Sequence, residues 1–156
     1  MAAQQRLMRE LRDARKSTEK DIRLMAEESA IFKWNAVLAG PADTPYHGGT
    51  FKVKLMVSTD YPMVPPTAFF DTKIFHPNVK WETGEICLDI LKTTWSPAWT
   101  LQAVCRAIQT LMTHPEADSP LNCDAGNMIR AGDRRVFDDT ARHLAIQEAG
   151  APKLSW

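Results

Sequence analysis

The spacing of hydrophobic residues changes along the chain, and each change predicts a different kind of element. Leu7, Leu11 and Ala14 lie at helical spacing and predict a helix over about residues 3–16. Hydrophobic positions from Phe51 to Val57 alternate with two lysines and a methionine, as in a strand with one buried face. Together with this stretch, the segments that resemble strands are 21–25, 31–38, 51–57 and 67–70.

The hydrophobic pattern becomes helical again in the C-terminal half. Leu101 begins a run of apolar positions at spacings of three and four, Thr100 is placed to cap it, and Pro115 follows its end. A short helix is predicted over about residues 122–130, and Asp133 has the position of an N-cap for a last helix. The inward-facing positions predicted for that last helix are Val136, Phe137, Thr140, Ala141, Leu144 and Ala145.

These elements predict one α+β domain over residues 1–156. It would contain an N-terminal helix, a four-stranded antiparallel meander, a long active-site loop around Cys87 and three C-terminal helices. Pro62, Pro65 and Pro66 favour an extended connection between the third and fourth strands. The bond before Pro62 is a candidate for the cis form, which is largely confined to bonds that precede proline.

Composition argues against several classes of protein. Lysine plus arginine and aspartate plus glutamate each number 19, so the chain has no overall electrostatic signature of nucleic-acid binding. The three cysteines lack metal-binding or disulfide spacing, and reduced thiols are typical of the cytosol. A signal peptide, a C-terminal Ser-Lys-Leu signal and a membrane-spanning apolar run are all missing, so we expect a cytoplasmic protein without direct membrane insertion.

Cys87 is the strongest candidate for chemistry. It lies nine residues after the turn sequence His-Pro-Asn (residues 76–78) and directly before an apolar run. No neighbouring cysteine is spaced to share a metal with it, and no histidine is obviously placed to act as its base. Such a thiol fits an acyl carrier, which accepts an activated acyl group and passes it on. Cys105 falls on an apolar helical stripe and is expected to be structural, whereas Cys123 has the features of an inert surface or packing residue.

Polar residues near this thiol have more than one interpretation. His76 is a potential base for Cys87, but its place in the turn favours a structural role. The Asn78 amide can donate to an oxyanion or hold the turn, and both roles stay open. Asp118 and Ser119 belong to a second loop that is a candidate to face Cys87.

Several motifs resemble the ubiquitin-conjugating enzyme family. They are Tyr-His-Gly-Gly-Thr-Phe at 46–51, Tyr-Pro-Met-Val-Pro-Pro at 61–66, His-Pro-Asn at 76–78, the cysteine segment at 84–91 and Trp-Ser-Pro-Ala at 95–98. The resemblance extends from about residue 6 to residue 137, which is nearly the whole domain. His-Pro-Glu at 114–116 and Pro-Leu-Asn-Cys-Asp at 120–124 resemble the peroxisomal branch of that family, as does one extra residue between the turn and the cysteine.

The resemblance implies a role for each candidate residue. Cys87 would accept ubiquitin as a thioester from the activating enzyme, which uses ATP, so the chain itself would need no cofactor. Asn78 would stabilise the oxyanion or the loop, and Asp118 and Ser119 would lie where the acceptor arrives. Ser119 is a departure, because many members have an acidic residue there that orients or deprotonates an acceptor lysine. Residues near the site with an implied structural role are His76, Pro77 and Asp89.

The resemblance also implies partners. A RING-type ligase and the activating enzyme would meet a surface made of Arg6, Arg9, Met63, Pro97 and Ala98. The peroxisomal likeness implies that the substrate is the peroxisomal import receptor, and that a membrane anchor protein tethers the chain to the cytosolic face of the peroxisome. Alternatives are general cytosolic ubiquitination, a ubiquitin-like modifier, a non-catalytic binding module of the pathway, or a cysteine hydrolase, which would need a base beside Cys87.

Overall fold

The computed structural model describes residues 2–153, so Met1 and residues 154–156 of the predicted domain lie outside the described range. In chain order the elements are α1 (Ala2–Lys16), β1 (Ile22–Glu27), β2 (Ala30–Ala39), β3 (Thr50–Met56), β4 (Thr67–Phe70), a 3₁₀ helix (Asp89–Leu91), α2 (Leu101–Thr113), α3 (Cys123–Arg130) and α4 (Arg134–Ala149). The predicted α+β order is confirmed, with the 3₁₀ helix as an addition. Within residues 2–153, no helix is both long enough and apolar enough to cross a membrane.

The four strands form one antiparallel sheet in the order β1-β2-β3-β4. The register places Trp34 of β2 opposite Leu55 of β3, and Val53 of β3 opposite Phe70 of β4. All four side chains are buried, and the apolar stripes of α1 and α2 belong to the same core cluster. Burying each large apolar side chain contributes about 1.5–3 kcal/mol, so this one-sided core holds the helices against the sheet.

Local capping explains where two helices begin and one ends. The Thr100 hydroxyl accepts from the Ala103 N–H (3.0 Å) at the start of α2, as the sequence predicted. The Asn122 side chain accepts from the Ala125 N–H (3.1 Å), so Asn122 caps α3 and the helix proper starts one residue later than predicted. Each such cap contributes about 1 kcal/mol. Gly150 ends α4 in the left-handed conformation (φ 70°) that glycine adopts without strain.

The start of α4 corrects two expectations. Asp133 occupies the N-cap position, but its side chain makes no capping hydrogen bond. Val136, predicted to face inward, is 48% exposed. The buried stripe instead consists of Phe137, Ala141, Ala145 and Ala149, which recur every four residues. Because each helical residue turns by about 100°, Val136 points away from that stripe.

The connection from β3 to β4 is held in place by a buried side chain and by a hydrogen bond from another loop. Its Tyr61–Pro62 peptide bond is cis, and the Tyr61 side chain is buried. The Trp95 indole N–H donates to the Pro62 carbonyl (2.8 Å) from the segment that precedes α2. Two loops distant in sequence are therefore held side by side.

Candidate active site

His76 is buried beside α2, and both of its ring nitrogens are engaged. Its Nδ1 accepts from the Asn78 backbone N–H (3.0 Å), so the proton resides on Nε2, which donates to the Leu111 carbonyl (2.7 Å). Burial lowers the pKa of the ring to about 4, so His76 is neutral at physiological pH. No ring nitrogen is left to deprotonate Cys87, and the two hydrogen bonds fit the structural role predicted for His76.

A tight hairpin delivers the chain to Cys87. Val79 and Ile86 form an isolated bridge, and Gly84 at its tip has φ +78°. The Phe70 carbonyl oxygen lies 1.9 Å from where a Cβ on Gly84 would stand. Any other residue at this position would collide with the end of β4, so the glycine allows the hairpin to close against the sheet.

Cys87 is half-buried and is attached to the turn through its backbone. Its N–H donates to the Asn78 carbonyl (2.9 Å). The chain then enters the 3₁₀ helix, which begins at Asp89, whose side chain is exposed. The thiol is therefore partly accessible on a segment whose path is set by main-chain hydrogen bonds.

The loop between α2 and α3 is fastened to the other side of the same turn. The Asn78 side chain donates from Nδ2 to the Glu116 carbonyl (2.7 Å) and accepts at Oδ1 from the Glu116 N–H (2.8 Å). The Pro77 carbonyl accepts from the backbone N–H groups of Leu121 (2.8 Å) and Asn122 (3.1 Å). The turn thus joins the thiol segment to this loop.

Asp118 and Ser119 lie between those two attachments, and their side chains are exposed. The sequence predicted that this loop faces Cys87, and its links to the turn bring the two segments together. Of the two roles left open for Asn78, holding the loop is the one for which the geometry is present. An additional role at the oxyanion stays a prediction.

The other two thiols have different surroundings. Cys105 is fully buried, and burial raises the pKa of its thiol to about 12, so the reactive thiolate is strongly disfavoured. This agrees with the structural thiol expected there. Cys123 is exposed at the first position of α3. Within residues 2–153, no group of three or more His, Cys, Asp or Glu side chains is placed to hold a metal ion.

Three of the five residues expected at a partner-binding surface lie on the two loops joined by Trp95. Met63 is 73% exposed, and Pro97 and Ala98 are also exposed. The indole bond from Trp95 to the first loop brings these residues into one region. The structure therefore assembles an apolar surface from segments more than 30 residues apart.

The two arginines predicted for the same surface have different environments. Arg9 is exposed on α1. The Arg6 side chain is only 14% exposed, and its guanidinium donates to the carbonyls of Pro97 (2.9 Å) and Trp99 (2.7 Å). Arg6 therefore supports the loop from within, and direct contact between Arg6 and a partner stays a prediction.

Sequence reasoning missed Glu10, which is only 5% exposed. Its carboxylate accepts hydrogen bonds from Arg6, the Tyr61 hydroxyl and the Leu101 N–H. A signal was available, because Glu10 lies on the inward side of α1, three residues after Leu7 and four after Arg6. A carboxylate on an apolar stripe with an arginine one turn earlier indicates a buried ion pair.

Comparison with known proteins identifies the family. The family described as ubiquitin-conjugating enzyme matches residues 6–145, which include the turn, Cys87 and both loops. The chain belongs to the ubiquitin-conjugating enzyme family. Enzymes of this family carry ubiquitin as a thioester on the way to a substrate, and the fold described above is theirs.

Relatives of this ubiquitin-conjugating enzyme extend over almost its whole length. Protein PEROXIN-4 of Arabidopsis thaliana is 54% identical over 154 residues, covering 97% of this chain and 98% of the relative. Ubiquitin-conjugating enzyme E2 pex4 of Dictyostelium discoideum is 54% identical over 138 residues, covering 88% and 93%. These relatives agree with the likeness to the peroxisomal branch.

Solved structures of ubiquitin-conjugating enzymes have the same fold. One from Plasmodium yoelii has a TM-score of 0.90 at 36% identity, covering 97% of this chain and 98% of its own. The E2 domain of a Toxoplasma gondii enzyme has a TM-score of 0.86 at 36% identity, covering 94% and 98%.

Proposed function

We propose that Cys87 accepts the C-terminus of ubiquitin from the activating enzyme. The Cys87 thiolate attacks the thioester carbonyl carried by that enzyme, a new thioester forms on Cys87, and the thiol of the activating enzyme leaves. ATP is consumed upstream, so this chain needs no cofactor of its own. The observation that carries the proposal is the partly accessible Cys87 thiol, held by its backbone against the turn at 76–78.

A charging reaction tests this assignment. The chain is mixed with activating enzyme, ATP and ubiquitin, and a reductant-sensitive adduct is expected on a non-reducing gel. Cys87→Ser should replace it with an oxygen ester that resists reductant, whereas the control Cys123→Ser should leave the labile adduct intact. A labile adduct that persists in Cys87→Ser would place the acyl group on another thiol.

The charged enzyme would then work with a RING-type ligase that binds Met63, Pro97 and Ala98. Support comes from the exposure of these three residues on adjoining loops. Met63→Ala should reduce ligase-stimulated discharge, because a few anchor side chains dominate an interface and each costs more than about 1 kcal/mol when it is truncated. Met25→Ala is a matched control, since Met25 is 45% exposed on the sheet. Equal loss in both variants would remove these loops from consideration.

The relatives named PEROXIN-4 and E2 pex4 support a peroxisomal role, with the import receptor as substrate. A membrane anchor protein would tether the enzyme to the cytosolic face of the peroxisome. The test is to express the chain in Dictyostelium discoideum cells that lack E2 pex4. It should restore ubiquitin on the import receptor, and a Cys87→Ala version should not. If the chain is expressed and loaded with ubiquitin but does not restore ubiquitin on the import receptor, a general cytosolic role would be favoured.

The acceptor is proposed to be a cysteine of the substrate. A free lysine has a pKa of about 10.4 and is almost entirely protonated near neutral pH, whereas a cysteine at about 8.5 already has several percent thiolate. Ser119, in place of an acidic residue, would therefore matter little to a thiol acceptor. The test follows discharge of the loaded enzyme to free cysteine and to free lysine over a pH series. A strong preference for lysine would count against a cysteine acceptor.

A further inference from the structure

Glu10 brings a buried negative charge to the junction of three segments. Its Oε2 accepts from the Arg6 Nε (2.8 Å) and the Tyr61 hydroxyl (2.5 Å), and its Oε1 accepts from the Leu101 N–H (2.7 Å). Leu101 is the first residue of α2, where backbone N–H groups lack a partner within the helix. Three donors, one of them a guanidinium, compensate for the removal of this carboxylate from water.

Each donor links Glu10 to a segment of the proposed ligase surface. Tyr61 lies two residues before Met63 in the connection from β3 to β4, and only Thr100 separates Leu101 from the loop at 95–99. Arg6 completes the link, because its other two nitrogens donate to the Pro97 and Trp99 carbonyls and its guanidinium lies 5.6 Å from the centre of the Tyr61 ring. Both loops are therefore attached to α1 through one carboxylate and one guanidinium.

We propose that Glu10 is a positioning residue for ligase binding. It acts through Arg6, Tyr61 and Leu101 and does not touch the ligase. This inference rests on the proposed function, in which the two loops bind a RING-type ligase. Loops that are already ordered in the free enzyme lose less conformational entropy when a partner binds. In Glu10→Gln one of the two acceptor oxygens becomes an NH2 donor, so the remaining oxygen cannot serve all three donors and the loops lose their relative order.

Hydrogen exchange in the full chain tests the positioning role without any ligase. The variant is Glu10→Gln, and the control is Asp13→Asn, which removes an exposed charge from the same helix. In Glu10→Gln we expect at least tenfold faster exchange at Leu101, which donates to Glu10, and at Met63 and Trp99, whose amides donate within their loops (2.9 and 3.0 Å). Tyr61→Phe deletes one donor and should give a smaller acceleration at Met63.

The internal reference for the same experiment is α4. The Phe137 amide donates to the Asp133 carbonyl (3.1 Å) on a helix that makes no hydrogen bond to either loop among residues 2–153. It should exchange at the wild-type rate in Glu10→Gln, in Tyr61→Phe and in Asp13→Asn. Equal acceleration at Phe137 and in the loops would mean a general loss of stability, and unchanged loop amides would mean that Glu10 holds nothing in place. Either result overturns the proposal.

A second readout concerns binding. The probe is a RING domain chosen because it accelerates discharge of the charged wild-type enzyme. In Glu10→Gln the RING concentration that gives half-maximal discharge should rise at least threefold. The discharge rate at saturating RING should stay within twofold of wild type, after correction for the fraction of enzyme loaded with ubiquitin. A lower maximal rate with unchanged half-saturation would contradict the positioning role. If no RING domain accelerates the wild type, the proposed function fails, and the exchange rates still decide whether Glu10 orders the loops.

Discussion

The turn at His76 and the cluster around Glu10 are both buried and both hold loops against a helix, but only the second carries charge. His76 is neutral and bonds to main-chain groups, and Asn78 pairs with the backbone of Glu116. Glu10 pairs with the Arg6 guanidinium. The hydrogen bonds of His76 require a neutral ring with its proton on one particular nitrogen. The Glu10–Arg6 pair requires that both side chains are ionised at the same time.

The difference follows from what each region has to hold. Near Cys87 the task is to align two main-chain segments, and amide and imidazole groups match backbone donors and acceptors one to one. At the other region, donors converge from a helix, a tyrosine and a helix N-terminus. A carboxylate has about four acceptor positions, so a single residue can serve them all. Residues close to Cys87 therefore act on backbone geometry, while the loops of the proposed ligase surface are attached to α1 through a charged residue.

The largest expected effect is on stability, and it tests whether the His76 ring in the turn is neutral. The pKa of His76 is about 4 in the folded chain, against 6.5 for the free group, so the unfolded chain binds more protons between these values. Stability from His76 is complete above about pH 6.5 and is lost as the pH falls toward 4, by up to about 3 kcal/mol. Urea unfolding over this pH range measures it.

The pH slope of His76→Gln is the decisive comparison. That variant has no imidazole to protonate, so its free energy of unfolding should change less between pH 6.5 and 4 than that of the wild type. His143→Gln alters an exposed histidine on α4 and should keep the wild-type slope. If His76→Gln and the wild type have equal slopes, the turn is not held by a neutral ring.

The next effect tests what the Asn78 side chain does. Asn78→Ala removes both hydrogen bonds to Glu116 and should slow transfer from charged Cys87 by about 10- to 100-fold, because small displacements of reacting groups carry costs of that size. Single-turnover discharge to cysteine measures it. The matched control is Asn127→Ala, an exposed asparagine on α3.

A second variant separates the two roles of Asn78. Glu116→Pro deletes the N–H that donates to Oδ1 and leaves the Asn78 amide in place. If the loop attachment matters, Glu116→Pro should reproduce part of the loss seen in Asn78→Ala. Full activity in Glu116→Pro, beside a strong defect in Asn78→Ala, would favour the oxyanion role.

The turn and the cluster also differ in how far the sequence predicts them. Helix α1, the strands and the Thr100 cap follow from spacing and capping within a few residues, and they were predicted. Cys87 and its turn were found through a motif. The bond between Asn78 and Glu116 joins residues 38 apart, and the bonds from Arg6 to the Pro97 loop join residues 91 and 93 apart. No local pattern encodes such contacts, because they depend on how whole elements pack.

Errors at the ends of elements have the same origin. Val136 fits an inward position by hydrophobicity, but the helix is rotated by the packing of Phe137 and the alanines that follow it. The 3₁₀ helix after Cys87 covers three residues, which is too short for a periodic signal. Tertiary contacts decide both features, so the sequence pattern alone could not.

A smaller effect contrasts the buried ion pair with an exposed one. Arg106 pairs with Glu19 (2.9 Å) and Asp21 (2.8 Å), and these side chains are 42–44% exposed. Arg106→Gln should cost at most about 1 kcal/mol, and about 1 M salt should largely remove the difference from wild type. Arg6→Gln should cost more and keep its cost in salt, because the Glu10 partner is buried. Urea unfolding at two salt concentrations measures both, and equal screening would mean that the Glu10 cluster is solvated.

The smallest effect concerns the loop that the neutral turn holds. Ser119→Asp places a carboxylate where an acceptor arrives. Its attraction for an ammonium is about 1 kcal/mol at close range in water and is weakened by salt, so it should speed discharge to lysine about two- to threefold. Discharge to cysteine should not increase. Asp118→Asn is the comparison, since it removes the charge one position away.

Because Asp118 and Ser119 are both exposed, neither change should alter the free energy of unfolding by more than about 0.5 kcal/mol. An unchanged lysine rate in Ser119→Asp, with a large loss in Asp118→Asn, would show that Asp118 already supplies the acidic group. A charge added to this loop should thus change the choice of acceptor and leave the neutral turn beneath it intact, whereas a charge removed from Glu10 should disorder the loops it holds.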